Sequence, residues 1–237
     1  GLKVSGITLE PLASASAVLS EEEKEAGVCL IDIGGGTTDV AIFTEGDIKH
    51  TAVIPIAGKN VTNDIRIGLR TSLEAAEEIK MSEGSLINSS EDEQKIIAVP
   101  SVSDKPDLEI SKSSLTHIIT CRMDEILSKL MREIESSGYS SSIRAGIVIT
   151  GGGSKLQGLD NYTESKYNIP VRIGSPKPIP GITNLSGLTR FSTAVGLLLY
   201  RDEQLKKMPH RTLPKNSFFA YLSKTWNKIS SYFHREL

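Results

Sequence analysis

Apolar and polar residues alternate between two periods along this chain. The run Val28-Cys29-Leu30-Ile31-Asp32-Ile33 is nearly continuous in apolar residues, as in a strand covered on both faces. It ends at Gly34-Gly35-Gly36. A second run, Asp39 to Phe43, and a third, Ile48 to Ile56, are joined by the turn residues Glu45-Gly46-Asp47, so a three-strand meander is expected before Gly58. The period then lengthens. Val61, Ile65 and Leu69 share one helix face between Asn60 and Arg70, and Leu73, Ala76 and Ile79 mark a second helix over 72–81. Between Ser82 and Asp107 the pattern dissolves into Ser, Asn, Asp and Pro, apart from the short run Lys95 to Val99. A long amphipathic helix is expected from Ser113 to Ser136, with Leu115, Ile118, Ile119, Met123, Ile126, Leu127, Leu130, Met131 and Ile134 on a broad apolar face. Ser137-Gly138 stops it. A strand over 145–150 runs into another glycine turn, Gly151-Gly152-Gly153-Ser154, with a short helix expected from Leu156. After the stiff loop bearing Pro176, Pro178 and Pro180, a small-residue helix is expected over 189–200.

Composition narrows the class. The 237 residues are 38% hydrophobic and 24% charged, as in an α/β globular protein, which excludes disordered and collagen-like chains. A net charge of −2 provides no overall field for nucleic acid, so no nucleic-acid partner is expected and any contact with an anionic surface must be local. Cys29 lies in a strand pattern and Cys121 in a helical one; both read as small buried hydrophobes of a reduced cytoplasmic protein. No run of apolar residues is long enough to span a bilayer. The chain opens at Gly1 directly into Leu2-Lys3-Val4, and reads as a piece of a longer protein.

The glycine turns carry the chemistry. Consecutive glycines after a buried strand let backbone N–H groups converge on phosphate oxygens without a Cβ in the way. Asp32, at the strand end, suits a Mg²⁺ ion held through its waters, and Thr37 and Thr38 offer hydroxyls. One such turn equally suits a tight glycine-rich hairpin. Two, at 34–36 and 151–153, suit a nucleotide gripped from two sides.

Asp32-Ile33-Gly34-Gly35-Gly36-Thr37-Thr38-Asp39 resembles the second phosphate motif of the actin, chaperone and sugar-kinase ATPase superfamily, and Gly151 to Ser154 resembles its adenosine motif. Glu10-Pro11 followed by 13–18, and Thr193-Ala194-Val195-Gly196, resemble its two connecting helices. Within that superfamily, Ile48 to Thr51, Val53-Ile54-Pro55, Ala57-Gly58 and Val61 to Ile65 are similar to the bacterial cell-division family FtsA. The resemblance implies an α/β, actin-like (ribonuclease H-like) ATPase fold. Residues 1–57 and 111–200 would form the second large domain, 58–110 an inserted small subdomain, 201–216 a linker and 217–237 a terminal amphipathic helix. It further implies that Gly34, Gly35, Gly36 and Thr37 touch the phosphates of ATP, that Asp32 organises Mg²⁺, and that Gly152, Gly153 and Ser154 pack on the adenosine. Glu77 and Lys80 match positions that hold ribose and adenine, though three-residue spacing also suits an ordinary surface ion pair. Glu10 matches the position that orients an attacking water, and equally suits a helix-start carboxylate. The superfamily's first phosphate turn is expected upstream. Without it this chain is expected to bind ATP weakly or not at all and to be at most a weak ATPase, since each lost charge-assisted bond is worth about 1.5–3 kcal/mol.

On a helical wheel Phe218, Leu222, Trp226, Ile229, Phe233 and Leu237 occupy a sector roughly 100° wide, with Phe219 at its edge and Lys224, Lys228 and Arg235 almost opposite. This stripe suits the headgroup zone of an anionic membrane, or a docking face on protein. The FtsA resemblance implies the former: a self-assembling, membrane-tethering scaffold on the cytoplasmic face at the division site, linking FtsZ through a site between Gly58 and Ile110 and acting with other divisome proteins. An ATP-hydrolysing enzyme, or another actin-like module of pilus-assembly or rod-shape type, is the alternative.

Overall fold

The computed structural model describes residues 4, 6–87, 89–101, 106–179 and 188–207. Two helices, α1 (Glu10–Val18) and α2 (Glu21–Ala26), precede the expected meander β1 (Val28–Ile33), β2 (Thr38–Thr44) and β3 (Asp47–Ile54). Then come α3 (Gly58–Leu69), α4 (Leu73–Glu83), α5 (Ser90–Gln94), the hairpin β4 (Ile96–Val99) and β5 (Leu108–Ser111), and the long α6 (Lys112–Ser136). The chain continues through β6 (Ile147–Thr150), α7 (Leu159–Tyr167), β7 (Val171–Ile173) and α8 (Ser192–Lys207).

Five strands form one sheet in the order β3-β2-β1-β6-β7. The meander pairs antiparallel, and β6 and β7 continue parallel to β1. Successive residues of a strand point to opposite faces, and the two cores follow that rule. Cys29, Ile31, Ile33, Val40, Ile42, Ile147 and Ile149 pack on one side with Leu115, Ile119, Ile126, Leu127 and Leu130 of α6. Val28, Leu30, Ala41, Phe43 and Val148 pack on the other with Ala15, Ala17 and Val18 of α1 and Val195 of α8. All six residues of β1 are buried because helices cover both its faces. On the second face α1 and α8 cross so closely that a Cβ on Gly196 would overlap the Ala13 carbonyl.

Residues 58–110 share the first core: Val61, Ile65, Leu69, Ala76, Ile79, Ile97 and Val99 are continuous with the α6 face. The stretch without pattern resolves into a one-turn helix and a hairpin of four-residue strands, elements too short to show a period.

Cys29 is buried as expected, and burial pushes its thiol up to about 12. Three other expectations are revised. Cys121 is exposed on α6, with Sγ 3.8 Å from His117 Nε2, because the buried stripe through Met123 and Ile126 turns it to solvent. Helix α8 continues through 201–207, where a linker was expected, because those residues are charged and straight-chain helix formers without Gly or Pro. Helix α2 was not anticipated, yet Ser20 and Glu23 form a full capping box: Ser20 Oγ accepts from Glu23 N at 3.2 Å and Glu23 Oε2 from Ser20 N at 2.8 Å.

Candidate nucleotide site

The first glycine turn is shaped by hydrogen bonds that leave its outer amides free. Gly34 N donates to Thr37 O at 3.0 Å, closing the turn between β1 and β2. Thr38 Oγ1 donates to Ile56 O at 2.7 Å, pinning the start of β2 beneath α3. The Gly34 and Gly35 carbonyls accept from Gly58 N at 3.1 Å and Lys59 N at 2.8 Å, so the free amides at the start of α3 are used to hold the turn. Gly35, Gly36 and Thr37 are exposed, and their amides have no acceptor among the described residues. Backbone donors left open on an exposed turn await water or an anion.

The parallel pairing of β1 with β6 sets Asp32 opposite Thr150, so the two turns leave neighbouring strands side by side at their carboxyl ends, where open α/β sheets bind ligands. Glycine is required at two points there. Gly151 has φ +86°, and a Cβ on it would overlap Asp32 Oδ1 and Ile33 O; one on Gly153 would overlap the Ile33 side chain. Thr189 Oγ1 and Ser154 Oγ each donate to Gly151 O at 2.7 Å. Ser154 is therefore buried with its hydroxyl committed to shaping the turn, and Gly152 is the exposed member.

Three carboxylates gather at the junction. Asp32 is buried and accepts from Ser14 Oγ at 2.7 Å; Thr193 Oγ1 lies 3.0 Å from Ser14 Oγ and 3.4 Å from both Asp32 Oδ2 and Glu10 Oε1. Burial raises the Asp32 pKa and the Glu10 charge adds to this, while hydrogen bonds from Ser14 and Thr193 oppose it. Asp39 is raised by burial, then by the charges of Glu10 and Asp32, with the Thr37 hydroxyl 3.4 Å away opposing. A cation would relieve this repulsion. Among the described residues no group of three or more His, Cys, Asp or Glu closes on one point as direct metal ligands. The arrangement therefore fits a hydrated divalent ion such as Mg²⁺ held through its waters.

A raised pKa gives a testable sign. Between the unfolded and folded pKa values of Asp32 the native chain binds more protons than the unfolded one, so its contribution favours folding at acid pH and is lost as pH rises through the folded value. Without divalent cation, Asp32→Asn should therefore raise the thermal midpoint at pH 7, with the gain vanishing below about pH 3.9, the ordinary aspartate value. A lower midpoint at pH 7 would show that the carboxylate is a net stabiliser.

Glu77 and Lys80 meet as the spacing indicates, with Nζ 2.7 Å from Oε2. Lys80 Nζ also donates to Thr62 Oγ1 at 2.8 Å and Gly58 O at 3.3 Å, and Thr62 Oγ1 donates to Glu77. Burial raises the Glu77 pKa, but its bonds to Lys80 and Thr62 outweigh that and hold it below the usual value. The pair thus braces α4 against the start of α3, where the first turn docks. Glu10 stands exposed as the first residue of α1. Ser14, Thr193 and Thr62 were missed as site residues; the only local signal was a small hydroxyl within alanine-rich or amphipathic helices.

A family profile, "Cell division protein FtsA", matches residues 29–196. The chain belongs to the FtsA family. It is 50% identical over 200 residues to the cell division protein FtsA of Pseudomonas aeruginosa, covering 84% of this chain and 48% of that relative. The chain spans about half the length of the curated relatives it matches. Among solved structures, MreB5 of Spiroplasma citri bound to ADP superposes with a TM-score of 0.69 at 23% identity, over 84% of this chain and 60% of that one. The MamK double helical filament does so with a TM-score of 0.59 at 16% identity, over 86% and 59%. These likenesses establish the actin-like fold of this FtsA-family chain. Among the described residues no helix is long and apolar enough to cross a membrane. The terminal stripe expected from the sequence, Phe218, Phe219, Leu222, Lys224, Trp226, Lys228, Ile229, Phe233 and Arg235, lies outside the described residues.

Proposed function

We propose that this chain is the nucleotide-binding half of an FtsA-type cell-division scaffold. It takes ATP with Mg²⁺, self-assembles, and ties FtsZ filaments to the cytoplasmic membrane face through 217–237, with the FtsZ contact within 58–110. The carrying observation is the juxtaposition of the two glycine turns by the β1–β6 pairing, with open amides at Gly35, Gly36 and Thr37. Those amides would bind the phosphates, while Gly152 and Gly153 leave room for the adenosine to approach the backbone. Asp32, aligned by Ser14 and Thr193, would orient the water shell of Mg²⁺, which supplies charge neutralisation when bound. Glu10 stands where it could hold a water, consistent with at most slow hydrolysis. Nucleotide thereby acts chiefly as a structural ligand that sets the state of the scaffold, whose role is mechanical.

Titration with MgATP followed by amide NMR tests this. Gly35, Gly36, Gly152 and Gly153 should shift along one binding curve, and that curve should tighten strongly in a chain extended upstream to restore the other phosphate turn. In the extended chain, shifts confined to one turn, or none, would refute the two-sided site.

A further inference from the structure

Lys59 is the second residue of α3, and its backbone amide holds Gly35 O at 2.8 Å. Its side chain lies along the outside of the first turn: Cε and Cγ are 3.7 and 4.0 Å from the point a Cβ on Gly35 would occupy. The residue is exposed, and its ammonium has no carboxylate partner among the described residues. Its neighbours differ. Lys80 is engaged with Glu77, Thr62 and Gly58 O, and Lys49 with Glu45 and Asp47. Arg190, beside Gly152 at the other turn, has its guanidinium stacked 4.8 Å over the Phe191 ring.

The charges at the junction make this cation consequential. Glu10, Asp32 and Asp39 are all acidic, and the open amides of 35–37 are neutral donors. A phosphate chain entering that cradle brings more negative charge toward three carboxylates. Helix α3 gives little direct help, because its first amides are bonded to Gly34 O and Gly35 O. An ammonium on a flexible stem already resting on Gly35 reaches the exposed side of the cradle with little further ordering.

We propose that Lys59 binds the terminal phosphates of the nucleotide, closing the cradle from the side of α3. The assignment rests on the nucleotide reading of the turns. It makes affinity depend on phosphate number, with a large contribution for ATP and tripolyphosphate and none for adenosine.

The test uses the chain extended upstream to restore the other phosphate turn, titrated by amide NMR with MgATP, inorganic tripolyphosphate and adenosine. Lys59→Gln should weaken ATP and tripolyphosphate about tenfold, the scale of one charge-assisted bond. Adenosine binding and the thermal midpoint should not change, and Lys59→Arg should retain most of the phosphate affinity. If wild-type chain binds MgATP at both turns and Lys59→Gln binds it equally well, the Lys59 assignment fails and the nucleotide reading stands. Equal weakening for adenosine would mean a distorted turn, and also overturns the assignment. If wild-type chain shows no shift at either turn, the nucleotide reading falls and Lys59 falls with it.

Discussion

Gly151→Ala should destabilise the chain by about 2–6 kcal/mol, while Gly152→Ala, one residue along, should cost less than about 1 kcal/mol. The reason is geometric. Gly151 sits at φ 86°, ψ 176°, a conformation essentially confined to glycine, and forcing a side chain there costs about 1–3 kcal/mol. The added methyl would also overlap Asp32 Oδ1 and the Ile33 carbonyl at the end of the central buried strand, where relief requires backbone movement. Overpacking of that kind adds about 1–3 kcal/mol. At Gly152 the nearest atom to a new Cβ is Arg190 Cβ at 3.9 Å, an ordinary contact. Urea unfolding midpoints for the two variants, at equal slopes, decide the matter: equal losses would contradict the strained junction. The same variant should blunt MgATP binding, since Asp32 is the group pushed aside.

Trp226→Glu should weaken sedimentation with anionic liposomes by a factor of about a few hundred. Losing the buried indole forfeits about 2–3 kcal/mol of apolar burial, and a carboxylate at a negative surface adds about 1 kcal/mol of repulsion. Together these approach the modest total expected for one helix with three opposing cations, Lys224, Lys228 and Arg235. Anchoring by a single such helix would therefore be reversible. Self-assembly would multiply it, because each further insertion along a filament becomes effectively intramolecular. Chain ending at Lys215 should behave as Trp226→Glu does, and both should retain MgATP binding. Sedimentation that is unchanged by the substitution would sink membrane tethering through this stripe and leave a protein-docking helix in its place.

Much of the site was legible because it is written in short-range patterns. The β1 to β3 meander, the α6 face and both glycine turns follow from strand or helix periodicity and from where glycine interrupts it. Short elements were not legible for the same reason: α5, β4 and β5 hold four or five residues each, too few to display a period. Helix α2 carried a readable signature in Ser20 and Glu23, a capping pair that periodicity alone passes over. Cys121 shows a different failure: the apolar stripe from Leu115 to Ile134 was already legible and leaves Cys121 on the opposite side, but its burial was read from residue type and not from that face. The continuation of α8 past Tyr200 reflects helix propensity prevailing over a reading of charge as linker.

By itself the sequence determined that two glycine turns exist, that each follows a buried strand, and that residues 218–237 carry an aromatic and basic pattern of helical period. Local spacing suffices for those features. Only the tertiary structure decided that Asp32 is held by Ser14 and Thr193 from two helices, that Glu10 and Asp39 crowd it, that Ser154 shapes its turn from within, and that Lys80 is engaged while Lys59 has no carboxylate partner among the described residues. Those relations join residues far apart in the chain. They arise from the order β3-β2-β1-β6-β7 and from the close crossing of α1 and α8 at Gly196, which bring the groups together and are not encoded in any local period.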